Sequence, residues 1–139
     1  MKVMITGAGG LVGGALARRF ACAHQVLAPP RAGLDVTDGA RVRRLVLRER
    51  PGLVVNCAVL GVDECERDPA AAREVNAVAP ASLARACAEA GAEFMHFSTN
   101  YVFGGGRRRA PYTAADEPRP AGVYGRTKLE GEREQLEGG

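Results

Sequence analysis

The sequence predicts a single α/β domain over residues 1–139, a doubly wound parallel sheet with helices on both faces. Three observations predict it. Short apolar runs such as KVMIT and GLVVNCAV alternate with longer stretches of helical periodicity. No hairpin signal joins any two runs, and parallel strands need helical crossovers. With 46% hydrophobic and 25% charged residues in 139, the chain can bury one core and has no composition shift that marks a linker or second domain.

Taken in order, KVMIT is an apolar run stopped by glycines, and Val12, Leu16 and Phe20 then recur every fourth residue, giving strand, tight turn and helix. QVLAP is a second strand ended by Pro29 and Pro30, and LDV (34–36) is a very short third. TDGARVRRLVLRER is a helix capped by Thr37 or Asp38, and PGLVVNCAV is a buried strand. Pro69 opens an Ala-rich helical stretch, broken or kinked near Pro80 and closed by Gly91. AEFMHFSTN is the next strand, residues 104–121 form a long Gly/Pro/Arg-rich loop, and the last helix starts near Val123.

The stretch TGAGGLVGG places Gly7, Gly10 and Gly13 between the first strand and its helix. Gly7 permits the tight turn, Gly10 lets a diphosphate touch backbone, and Gly13 lets helix pack on strand. A helix N-terminus presents unpaired N–H groups and about half a positive charge, so a dinucleotide is the natural guest. The second strand ends in VLAPPR without the acid that would hold the ribose hydroxyls of NAD. Arg31 stands there instead, either as a partner for the 2′-phosphate of NADP(H) or as an exposed turn residue. NADP(H) is therefore favoured, with NAD(H) the other candidate. Asp35 either reaches the adenine edge or caps the following helix.

STNYVF (98–103) ends a strand on hydroxyls and an amide, and YGRTK follows 21 residues later. Tyr124 and Lys128, four residues apart, share one helix face about 6 Å apart along the axis. A free tyrosine has a pKa of about 10, and a neighbouring ammonium together with an oxidised nicotinamide favours its phenolate. Carbonyl reduction needs a hydride and a proton delivered together, with Tyr124 as acid, Lys128 on the nicotinamide ribose and Thr99 donating to the carbonyl oxygen. An exposed helical pair is the bland alternative for Tyr124 and Lys128.

Composition narrows the partners. The net charge of +3 comes from 19 Lys and Arg against 16 Asp and Glu, mostly alternating in sign along helices, which does not suggest nucleic acid. The run Arg107, Arg108, Arg109 reads as a solvated loop or a phosphate contact and is left unassigned. Cys22, Cys57, Cys65 and Cys87 form no CxxC pair, read as small buried apolar residues, and suit a reducing cytoplasm. No segment has the length of a secretory core or membrane span, so a soluble protein without membrane partners is expected. Asp63, Glu64, Glu66 and Asp68 read as helix-dipole acids rather than a metal site, and His96 as core.

With the glycine loop, LDVTD, NCA, STNYVF and YGRTK in this order, the chain resembles the extended short-chain dehydrogenase/reductases, most closely the dTDP-4-dehydrorhamnose reductase family. The resemblance implies a Rossmann-type sheet ordered 3-2-1-4-5 and reduction of the 4-keto group of a nucleotide-activated deoxysugar, on the route to cell-surface sugars. It places cofactor contacts at Gly10, Leu11, Val12, Asp35, Val36, Cys57, Ala58 and Val59, with Tyr124 and Lys128 also against the cofactor. It makes Thr99, Tyr124 and Lys128 catalytic, and Thr99, Asn100 and Tyr101 substrate-side. The family usually has Asp where Asn100 stands, and the related dehydratases use an Asp-Glu pair after the Thr that NY cannot replace. Family members continue well past the equivalent of Gly139, so this chain is expected to lack the C-terminal strands and substrate lobe. A missing segment or a second copy would then cover the open sheet edge at FMHFS. A non-catalytic module similar to the regulatory subunit of methionine adenosyltransferase, or an inactive fragment, are the alternative readings.

Overall fold

The computed structural model describes residues 1–104 and 110–137; the Arg107–Arg109 run lies outside the described residues. Its four strands form one parallel sheet in the order β2-β1-β3-β4. The central strand β1 (Lys2–Thr6) pairs on one side with β2 (Gln25–Leu27), Val3 opposite Val26, and on the other with β3 (Leu53–Asn56), Ile5 opposite Val55. At the outside lies β4 (Glu93–His96), with Asn56 opposite His96. The Rossmann-type architecture is the one expected.

One expected strand does not form. Residues 34–36 are irregular between two turns: the Leu34 N–H bonds the Pro30 carbonyl at 2.9 Å and Asp35 is engaged with Thr37. Leu34 is instead a buried member of the core, so its side chain, not a ladder, fixes this segment. The remaining strands keep the expected order with that outermost strand removed.

Alternation along the strands divides the core between the two faces of the sheet. Met4 and Val54 point to one face and meet Val42 and Val46 of α2 (Gly39–Glu49) and Leu83 and Cys87 of α5 (Ala79–Ala90). Val3, Ile5 and Val55 point to the other, against Leu16, Ala17 and Phe20 of α1 (Leu11–Ala21). Of the four-residue recurrence seen in the sequence, Leu16 and Phe20 belong to this packed stripe of α1, whereas Val12 is exposed.

Helix boundaries follow local chemistry. Asp38, not Thr37, caps α2, accepting from the Arg41 N–H at 2.9 Å. The acidic stretch does capping work too. Asp63 and Glu64 sit in the first turn of α3 (Val62–Arg67), and Asp68 caps α4 (Pro69–Arg73) through the Ala71 N–H. Glu66 reaches across to the Val123 N–H at 2.8 Å, closing the start of α6 (Val123–Glu137). The Ala-rich stretch is interrupted by a π-helical turn, Glu74–Val78, that ends before Pro80. Pro80 lies in the first turn of α5, where its missing N–H costs nothing, and Gly91 closes that helix in the left-handed region at φ 69°.

Candidate active site

The carboxyl end of the sheet opens into a cleft of about 620 Å³. Eight of the expected cofactor residues line it: Gly7, Gly10, Arg31, Asp35, Val36, Cys57, Ala58 and Val59. The sheet order brings them together, because the loops after β1, β2 and β3 all end on this side. Leu11 and Val12 do not line the cleft; they are exposed at the N-terminus of α1. Gly13 does not line it either and is buried beneath the turn.

Gly7 holds φ at +67°, and a Cβ there would lie 2.5 Å from the Ala58 nitrogen. A Cβ on Gly13 would run into the Gly7 backbone, 2.8 Å from its carbonyl carbon. Two glycines thus serve the turn and the close seat of α1 on β1. Gly10 differs. It is exposed, and a Cβ there would meet only the Gly7 oxygen at 3.4 Å, so packing within the chain does not account for it. No side chain caps the first turn of α1, which leaves its N–H donors free for an anion. These features fit the diphosphate of a dinucleotide.

Asp35 does not cap α2, which corrects that alternative. Its carboxylate accepts from the Thr37 N–H at 3.0 Å and the Thr37 hydroxyl at 2.7 Å. Those bonds, with the nearby Arg31 charge, hold its carboxyl below the usual range. Among the cysteines, Cys65 and Cys87 are buried as expected, but Cys22 is exposed and Cys57 half-buried. Cys22 closes the exposed end of α1, while burial pushes the Cys87 thiol up to about 11. Among the described residues, no cluster of His, Cys, Asp or Glu could hold a metal ion.

Thr99, Tyr124 and Lys128 lie beyond the cleft wall, past the end of β4, and are not among its lining residues. Thr99 precedes a 3₁₀ turn, Asn100–Val102, and its hydroxyl accepts from the Tyr101 N–H at 3.2 Å. The Tyr101 ring meets that of Tyr124 edge-on at 5.6 Å. The turn and α6 approach so closely that a Cβ on Gly125 would lie 2.9 Å from the Pro120 Cβ and against the Tyr101 carbonyl. Gly125 therefore sets the seat of Tyr124.

Lys128 is only 2% exposed. Its Nζ donates to the Phe97 carbonyl at 2.6 Å and lies 2.7 Å from His96 Nε2. Burial lowers its pKa to about 8, against a weaker opposing pull from Glu132. His96 is not the core residue expected: its ring bridges Lys128 and Asn56, the Asn56 Nδ2 lying 3.1 Å from His96 Nδ1. Burial, reinforced by the lysine charge, lowers its pKa to about 4. Asn56 accepts in turn from the Thr6 hydroxyl at 2.5 Å and the Ala58 N–H at 3.2 Å. A continuous polar chain thus joins the cleft wall to α6.

Sequence reasoning missed His96, Asn56 and Asn76. Asn76, on the π-helical turn, is fully buried and bonds Leu60 on the cleft wall and Thr127 on α6. The signal available was polarity at positions whose neighbours are apolar, in LVVN, EFMH and EVNAV.

Comparison with known proteins places this geometry. Residues 1–138 match the family model described as RmlD substrate binding domain. A dTDP-4-dehydrorhamnose reductase of Mycolicibacterium smegmatis is 47% identical over 137 residues, covering 97% of this chain and 41% of that protein. Methionine adenosyltransferase 2 subunit beta of Rattus norvegicus is 35% identical over 145 residues, covering 98% of this chain and 43% of its own length. A crystal structure of a dTDP-4-dehydrorhamnose reductase from Clostridium acetobutylicum superposes with a TM-score of 0.93 at 37% identity, over 99% of this chain and 49% of that one. The Bacillus anthracis reductase, solved in complex with NADP, gives 0.92 at 31% identity, over 98% and 49%. The chain spans less than half the length of these relatives.

Proposed function

The chain belongs to the RmlD substrate-binding domain family, and from that premise we propose that the protein reduces the 4-keto group of a dTDP-activated deoxysugar with NADPH. The observation that carries this reading is the cleft, with an uncapped helix N-terminus and an exposed Gly10 on its floor and Arg31 at its rim. A dinucleotide laid there would have its diphosphate on the Gly10, Leu11 and Val12 backbone, with Gly7 and Gly13 shaping the turn. Its adenosine end would lie by Arg31, Asp35 and Val36, and the loop after β3, carrying Cys57, Ala58 and Val59, would flank its middle. When bound, the cofactor supplies hydride to the sugar carbonyl.

The chain's own residues divide the remaining work. Tyr124 gives the proton to the developing alkoxide, and Lys128 holds the nicotinamide ribose. Thr99 steadies the carbonyl oxygen, and Asn100 and Tyr101 face the sugar. β4 is the outermost strand of the sheet, and Met95 on it and Phe97 just past it are 47% and 43% exposed. A further strand of the same protein or a second copy would pair there. No helix of the described residues is long and apolar enough to cross a membrane, and a cytoplasmic setting is proposed from the free cysteines.

The test is NADPH oxidation followed by absorbance, with dTDP-4-dehydrorhamnose as substrate. Turnover that falls at least about a hundredfold in Tyr124→Phe supports the reading. Cofactor binding without turnover would move the protein to the non-catalytic module that the rat relative's 35% identity brings into view. No cofactor binding at all would mean an inactive chain. Arg31→Ala should erode the preference for NADPH over NADH; an unchanged ratio removes Arg31 from the cofactor site.

A further inference from the structure

The chain from Ala58 to Lys128 has a fixed direction. A backbone N–H can only donate, so the Ala58 N–H at 3.2 Å identifies the acceptor end of the Asn56 amide as the end facing it. The Thr6 hydroxyl donates to that same oxygen. The Asn56 NH₂ must then face His96 Nδ1, at 3.1 Å, and Nδ1 must accept. A neutral imidazole that accepts at Nδ1 carries its proton on Nε2. Nε2 lies 2.7 Å from Lys128 Nζ, and an ammonium has no lone pair with which to accept.

We propose that His96 is a positioning residue that stabilises the neutral amine of Lys128 in the unliganded chain, through a hydrogen-bond polarity set at the Ala58 N–H. The amine accepts from His96 Nε2 and donates to the Phe97 carbonyl. Protonating it makes it a donor to Nε2, which sends the ring proton to Nδ1, against the Asn56 NH₂. The charged form therefore costs the His96–Asn56 bond.

The groups around the amine pull in both directions. Burial favours the neutral form, while Glu132 on the same helix, which accepts from the Ser98 hydroxyl, favours the charged one. Tyr124 lies one turn back on α6, with Tyr101 edge-on to it from the 3₁₀ turn. From α4, Arg73 is turned to the outer face of α6, where it pairs with Glu130 and Glu134.

Resting on the reading that Lys128 holds the nicotinamide ribose, the consequence is proton uptake on binding. The amine takes one proton from solvent when it leaves His96 for the ribose. Cofactor affinity then falls by up to tenfold per pH unit above the midpoint of free Lys128.

The chain has two histidines and two lysines, so nitrogen and carbon NMR can follow each. At pH 9.5, above the Lys128 midpoint, the expected His96 pattern is the Nε2–H tautomer, and Lys128 should be at least a hundredfold weaker base than a free lysine. Asn56→Ala, which removes the opposing donor without adding charge, should strengthen Lys128 as a base severalfold and release the tautomer preference. Asn56→Asp should convert His96 to Nδ1–H. An Nδ1–H tautomer in the unsubstituted chain at pH 9.5, which needs no variant to observe, overturns the proposal, as does a Lys128 midpoint indifferent to both variants. Calorimetry with NADPH in two buffers of different ionisation enthalpy reads the proton uptake. Its absence beside an Nε2–H tautomer would overturn the ribose role of Lys128 while leaving the polarity chain intact.

Discussion

The Asn76 side chain pairs with the Leu60 backbone in both directions. The Leu60 N–H donates to Asn76 Oδ1 at 2.9 Å, and Asn76 Nδ2 donates to the Leu60 carbonyl at 3.1 Å. A buried amide on a π-helical turn thus does for the cleft wall what a neighbouring strand would do. The same Nδ2 reaches Thr127 Oγ1 at 3.3 Å and Cys65 Sγ at 3.3 Å, so the cleft wall, α3 and α6 share one anchor.

Asn76→Ala should therefore destabilise the fold by about 2–4 kcal/mol, because two backbone groups lose their partners at about 1–3 kcal/mol each. Urea unfolding measures this. The accompanying change should be faster hydrogen exchange at the Leu60 amide, and retained protection there would contradict the anchoring role.

Gly13→Ala and Gly10→Ala should separate folding from binding. At Gly13 the added carbon collides with backbone that cannot swing aside, which predicts a loss of about 3 kcal/mol or more. Gly10 has room, so the alanine variant should lose only about 1 kcal/mol as a poorer helix cap. Its NADPH affinity should nonetheless drop at least tenfold, since the methyl occupies the place proposed for the diphosphate. Denaturation and fluorescence titration of both variants test the contrast.

Stability should climb with pH in two windows. Both His96 and Lys128 have folded pKa values below their ordinary ones, so the unfolded chain binds more protons between the two values, and the folded state gains as pH rises. For His96 the window runs from about 4 to 6.5, and for Lys128 from about 8 to 10.5. Each contribution is on the order of 3 kcal/mol or less. Denaturation midpoints measured across pH should show both rises, and Lys128→Met should flatten the alkaline one. A midpoint that falls from pH 8 to 10 in the unsubstituted chain would contradict the burial of this amine.

Thiol labelling should follow exposure. Cys22 is open to solvent, Cys57 is half-buried with its thiol pushed up by burial, and Cys65 and Cys87 are buried. Iodoacetamide should modify Cys22 first and Cys87 only on unfolding, as peptide mass spectrometry can show. Protection of Cys57 by NADPH would add support for the cofactor's place.

Much of this was legible in the chain itself. The parallel sheet follows from apolar runs separated by helical periodicity, and the glycine turn from the Gly7, Gly10 and Gly13 spacing, because both are local rules with short range. Leu34–Val36 misled: three residues of strand-like composition can equally deliver one side chain to a core, and only the packing around Leu34 decides between them. His96 misled in the same way, since a histidine among Phe and Met reads as core until its two nitrogens are seen to have partners.

By itself, then, the sequence determined the layers, their order and the identity of the groups at the sheet's carboxyl end, since periodicity, glycine spacing and family motifs are written along the chain. The tertiary structure alone decided how those groups are wired. Asn56 with Ala58, His96 and Lys128 come from three separate segments, and the direction of their hydrogen bonds depends on which donor meets which acceptor across the register of β3 and β4. Such pairings are set by folding geometry over dozens of residues, where no local pattern reaches.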